Sequence, residues 1–123
     1  MKDVSFTDLI GAPYKVGARG EGGYYDCYGI CIEAARRLGK TLKDIGATEN
    51  DIALADEYAP SLNVERINEP ERAAVLEMDG GGGILHIGIC LDAKTFIHAT
   101  TTQGVRISRI GCLPIKNIYR IKD

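Results

Sequence analysis

The chain has 123 residues, enough for one domain over 1–123 built around one core. Its 17 acidic and 15 basic side chains leave a net charge of −2, which argues against nucleic-acid binding through a basic surface. The apolar fraction of 45% suits a globular chain, and no apolar run reaches the length of a membrane span.

Met1 to Asp8 contains no apolar run of the signal-peptide kind, so the expected location is cytoplasmic as synthesised. The four cysteines, at 27, 31, 90 and 112, then read as reduced thiols. Ser5 to Ile10 predicts a short helix capped by Ser5, with Asp8 in its first turn and Gly11 and Pro13 stopping it. Tyr14-Lys15-Val16 reads as extended, and Gly17 to Gly23 as a glycine-rich loop. Cys27, Ile30, Cys31, Ala34, Ala35 and Leu38 fall at helical spacing on one apolar stripe, which predicts the main helix over 27–38. Asp26 is its N-cap and Gly39 its stop. A second helix is predicted over Thr48 to Tyr58, ended by Pro60, and Ser61 to Pro70 reads as irregular.

From Ala73 the pattern turns to strands: 73–78, 84–91, 95–100, 105–110 and 115–121 are short apolar or alternating runs. Short connections predict an antiparallel meander, and helices followed by strands predict an α+β fold with N-terminal helices on a five-stranded sheet.

The chemistry centres on Cys27, at the join between the glycine loop and the main helix. A helix start carries partial positive charge and pushes a thiol toward thiolate. The two histidines, His86 and His98, lie on consecutive strands. If Asp92-Ala93-Lys94 forms a three-residue loop, 91 faces 95, and His86 and His98 become diagonal neighbours on one face, about 7–8 Å apart at Cα. A two-residue loop would put them on opposite faces. With the main helix packed on that face, Cys27 meets a base, His86, oriented by a third polar group, His98. Backbone N–H groups at the helix start, helped by Tyr14, would meet an oxyanion. Tyr14, Asp26 and Tyr28 are the candidates for holding substrate or the oxyanion. Cys31, Cys90 and Cys112 read as structural, and the Cys and His spacings do not match a structural zinc site.

Tyr24-Tyr25-Asp26-Cys27-Tyr28-Gly29-Ile30, His86-Ile87-Gly88-Ile89, Phe96-Ile97-His98-Ala99 and Gly104-Val105-Arg106-Ile107 together resemble the NlpC family of papain-like cysteine peptidases. Gly11-Ala12-Pro13-Tyr14 resembles the segment ahead of that family's nucleophile. The resemblance implies a papain-like NlpC fold and hydrolysis of amide bonds in peptidoglycan stem peptides, of the D-γ-glutamyl–diamino acid type. It makes Cys27 the nucleophile, His86 the base and His98 the orienting residue, with Tyr14 flanking the site and no metal or organic cofactor. Tyr28 stands where relatives often carry serine. Cys-Tyr-Gly is similar to the phage-tail members, which adds phage tail components as partners and a virion-associated or lysis-released setting. The alternatives are an amidase or acyltransferase on the same scaffold, and a non-catalytic tail-assembly or wall-binding module.

Overall fold

A computed structural model describes residues 5–43, 63–80 and 85–122. The helix expected over 48–58 lies outside the described residues, as does most of the four-glycine run at 80–83. The N-terminal segment forms a 3-10 turn, Thr7–Leu9, rather than a longer helix, and a second 3-10 turn spans Glu21–Gly23.

The main helix, α1, spans Cys27–Arg37. It starts where expected because the Asp26 carboxylate accepts the Gly29 N–H at 2.6 Å, satisfying one of the amides a helix start leaves open. Leu38 caps it at the other end, and Gly39 turns the chain away with φ +83°. Arg37 on the last turn donates to both Asp8 oxygens at 2.6 and 2.8 Å and to Glu33 at 2.7 Å, clamping the first 3-10 turn to the helix.

The strands are β1 (Val64–Ile67), β2 (Val75–Asp79), β3 (Leu85–Cys90), β4 (Thr95–Thr100), β5 (Gly104–Arg109) and β6 (Ile115–Ile121). They form one antiparallel sheet in the order β1-β6-β2-β3-β4-β5. The fold is α+β, with six strands among the described residues where five were expected. The added strand is β1, inside the stretch read as irregular. It pairs with β6 from Val64–Ile121 to Ile67–Ile118.

The meander holds from β2 to β5, but β6 returns to lie between β1 and β2. The reason is burial. Ile118, Tyr119 and Ile121 are all buried, a run that needs cover on both faces and so an interior position. On β5, by contrast, Arg106, Ile107 and Arg109 are exposed, as befits a strand near the sheet edge. Part of that edge is covered by residues 11–12: Gly11 N–H donates to the Val105 carbonyl at 2.8 Å, and Val105 N–H to the Ala12 carbonyl at 2.9 Å.

Two apolar layers sandwich the sheet. On one face Ile30, Cys31, Ala34 and Ala35 of α1 pack with Ile87, Ile89, Ile97, Ala99 and Ile121. Ile30 is fully buried, worth roughly 2 kcal/mol of transfer free energy. On the other face Leu76, Met78, Cys90, Phe96 and Ile118 pack together under Ile110 and Leu113.

Candidate active site

Cys27 reaches its position through two restraints. The Asp26 carboxylate, fully buried, accepts Gly17 N–H at 3.0 Å and Gly29 N–H at 2.6 Å, and pairs with Arg19 at 2.8 Å. It thereby ties the glycine loop to the first turn of α1. Gly29 lets that turn press on the loop, since a Cβ there would fall 2.2 Å from the Ala18 carbonyl oxygen. Asp26 is not among the residues lining the cleft, so the structure places it as a clamp behind Cys27 rather than beside a substrate. Tyr28 also differs from expectation. It is buried, its hydroxyl donates to the Lys43 carbonyl at 2.5 Å, and Arg19 lies over its ring at 5.3 Å.

The hairpin has the expected register. Ile89 faces Ile97, Cys90 faces Phe96, and Leu91 N–H donates to the Thr95 carbonyl at 2.9 Å. Asp92 shapes the connection by accepting Lys94 N–H at 2.7 Å and Thr95 N–H at 2.8 Å. The odd loop puts His86 and His98 on one face, with His86 Nε2 2.7 Å from His98 Nδ1. Gly88 permits this approach: a Cβ there would lie 2.8 Å from the Phe96 ring, 2.9 Å from the Ile97 carbonyl and 3.3 Å from His98 Cβ.

One expectation is overturned. The helix does not pack on the histidine face. Ile87, Ile89, Ile97 and Ala99 face α1, so alternation sends His86, Gly88, Cys90, Phe96 and His98 to the other side. His98 stacks on Phe96 there, ring centres 4.6 Å apart. Cys27 meets His86 from the end of the helix instead. The β3–β4 pairing stops at Ile89–Ile97, and Cys27 Sγ lies 3.8 Å from His86 Nδ1 beyond that point.

The Tyr14 hydroxyl is 3.7 Å from the same sulfur. Tyr14, Cys27, His86 and His98 all line one cleft of about 720 Å³. Ser108 lines it too, and its hydroxyl lies 2.8 Å from His98 Nε2. Sequence reasoning missed Ser108. Its signal was available: Phe96 pairs with Ser108 and His98 with Arg106, which makes Ser108 a diagonal neighbour of His98.

Burial sets the electrostatics. Desolvation lowers the pKa of His86 below the usual imidazole range. Desolvation, then repulsion from His86 and Arg106, takes His98 down to about 4. A neutral His98 has one ring nitrogen free to accept. If His86 carries its hydrogen on Nε2, it donates to His98 Nδ1 and turns the Nδ1 lone pair toward Cys27 Sγ. His98 then donates its Nε2–H to Ser108 Oγ. The chain of polar groups can thus hold His86 in the tautomer a base needs.

The other thiols differ. Burial raises Cys31 well above the usual thiol range and pushes Cys90 up to about 12. Cys112, read as structural, is exposed and lines the cleft. Among the described residues no group of three or more His, Cys, Asp or Glu is placed to hold a metal ion.

The NlpC/P60 family profile matches residues 11–119. No curated protein matches the chain. Among solved structures, NlpC2 from Trichomonas vaginalis is similar at 19% identity and a TM-score of 0.64, over 94% of this chain and 44% of that one. The NlpC/p60 domain of the peptidoglycan hydrolase SagA is similar at 19% identity and 0.60, over 93% of this chain and 91% of that one. A protein of Staphylococcus aureus described as similar to lipoprotein, of the NLP/P60 family, is similar at 15% identity and 0.62, over 99% of this chain and 44% of that one. The chain thus spans less than half the length of the Trichomonas and Staphylococcus proteins. These likenesses concern the fold. The profile match over most of the chain decides the family: the chain belongs to the NlpC/P60 family.

Proposed function

We propose that this chain is a cysteine hydrolase that cleaves an amide bond in peptidoglycan stem peptides, between D-γ-glutamyl and a diamino acid, through an acyl-enzyme on Cys27. The observation that carries the proposal is the continuous line of side chains in one cleft: Sγ to His86 Nδ1 at 3.8 Å, then His86 Nε2 to His98 Nδ1 at 2.7 Å. Family membership supports the reaction class, and the description of SagA as a peptidoglycan hydrolase supports the substrate.

In this reading His86 takes the thiol proton at Nδ1, and the imidazolium formed keeps its Nε2–H on His98. The sulfur adds to the amide carbonyl carbon. The oxyanion is met by N–H at the start of α1, where the helix favours negative charge, and by the Tyr14 hydroxyl. His86 then returns its proton to the departing amine, the C–N bond breaks, and a thioester remains. Water, deprotonated by His86, hydrolyses the thioester and restores the thiol.

The test is incubation of wild type and Cys27→Ala with purified peptidoglycan, products identified by mass. Wild type should release fragments cut after the γ-glutamyl carbonyl, and the variant none. Intact wall material with active Cys27 alkylation would sink the substrate reading. Fragments cut at another bond would reassign the chain to the amidase or acyltransferase alternative.

A further inference from the structure

Arg106 is the one cleft-lining residue among those described that carries a permanent charge, and no Asp or Glu lines the cleft with it. It projects from β5 directly across from His98 on β4. Arg19, Arg36, Arg37 and Arg120 are each paired with carboxylates. Arg106 is exposed and forms no ion pair among the described residues. Arg106 and Gln103 also line an adjoining hollow of about 370 Å³ with Ile10, Val105 and Ile107. The guanidinium therefore stands where the catalytic cleft passes into a second, apolar concavity.

A cation in that position disfavours a proton on His98 and so helps to keep that ring neutral. It also offers planar paired donors to any carboxylate entering the cleft, the geometry in which arginine binds most strongly. We propose that Arg106 is a specificity-determining residue that binds a substrate carboxylate close to the scissile carbonyl. This rests on the γ-glutamyl reading above and deepens it. A glutamyl residue linked through its side chain supplies the scissile carbonyl from that side chain. Its α-carboxylate stays free on the same residue, a few bonds from the reacting carbon. The expected substrates are stem peptides with this carboxylate free, and those in which it is amidated are discriminated against.

The experiment compares two synthetic tripeptides, L-Ala-γ-D-Glu-diamino acid with the glutamyl α-carboxyl free or as its amide. Cleavage is followed for wild type, Arg106→Gln and Arg106→Lys. Wild type should cut the free acid with a kcat/KM about 10-fold or more above the amide. Arg106→Gln should lose that preference by slowing on the acid alone, and Arg106→Lys should keep part of it. Equal rates on both peptides by wild type would overturn the carboxylate assignment and leave the stem-peptide reading standing. If neither peptide is cut, and neither protects Cys27 from iodoacetamide, the stem-peptide reading fails and this inference falls with it.

Discussion

His86 Nε2 and His98 Nδ1 lie 2.7 Å apart, and the second imidazole is held neutral down to a pKa of about 4. A protonated His98 would offer its own Nδ1–H to His86 and turn the wrong tautomer of that ring toward Cys27. In the proposed mechanism, the neutrality that burial imposes is what lets His98 orient the base.

Replacing His98 should separate orientation from charge. His98→Gln keeps an oxygen that can accept from His86 Nε2, so kcat/KM should fall modestly, by about 10-fold. His98→Leu removes the acceptor and should cost up to roughly 10⁴-fold, the scale seen when a base loses its orienting partner. Both should retain the fold, which far-ultraviolet circular dichroism and the unfolding midpoint would check. Equal losses in the two variants would mean that His98 acts through packing alone.

The same burial predicts a pH dependence of stability. His98 has a folded pKa of about 4, below its unfolded value of about 6.5. Between those values the unfolded chain binds more protons, so stability rises with pH. The contribution is fully present above about pH 6.5 and is lost as pH falls through about 4, on the order of 3 kcal/mol in all. His86, also lowered, acts in the same direction. Asp8, Glu33, Glu71 and Asp92 are held below their usual range, so their contribution is lost at lower pH than that of His98. Urea midpoints at pH 7 and pH 5 should therefore differ more for wild type than for His98→Gln. An identical difference in both would remove His98 from the account.

The register of the β3–β4 hairpin was legible because side-chain alternation and a three-residue loop leave one arrangement. The helix start at Cys27 was legible from Asp26 and the apolar stripe. Strand order was not. Placing β6 inside the sheet depends on burial of Ile118, Tyr119 and Ile121 from two sides, which a linear pattern does not distinguish from one-sided burial. β1 was hidden because Val64 and Ile67 flank two exposed charged residues, and the segment is held by backbone pairing to β6. The face of α1 was misjudged for a related reason. Side-chain spacing alone suggests that Cys27 and the histidines share a layer, whereas the end of a helix can reach past a sheet where strand pairing stops.

The four thiols should fall into distinct reactivity classes. Cys27 beside His86 should be alkylated by iodoacetamide first, with exposed Cys112 next. Cys31 and Cys90, buried and with raised pKa, should react only on unfolding. His86→Ala should slow Cys27 by about 10-fold or more and leave Cys112 unchanged, since only Cys27 depends on that base. Peptide mapping by mass gives the order, and a Cys27 rate indifferent to His86→Ala would refute the pairing.

Arg19 tests whether the site is preorganised from behind. Its guanidinium, one-fifth exposed, meets the fully buried Asp26 carboxylate at 2.8 Å. Removing one partner of such a pair leaves an uncompensated buried charge and typically costs about 3–5 kcal/mol. Asp26 would still have Gly17 and Gly29 N–H as partners, so Arg19→Ala should sit at the lower end, roughly 3 kcal/mol. Asp26→Ala loses the pair and also both amides that tie the glycine loop to α1, and should destabilise more. The two effects should not add: in the double variant the loss should match Asp26→Ala alone, because Arg19 acts on the helix start through that carboxylate. Arg19 also lies over the Tyr28 ring, an independent contact, so any residual from Arg19→Ala in the Asp26→Ala background measures the stacking contribution. A residual as large as the single-variant loss would show that the buried pair contributes nothing to holding Cys27 in place.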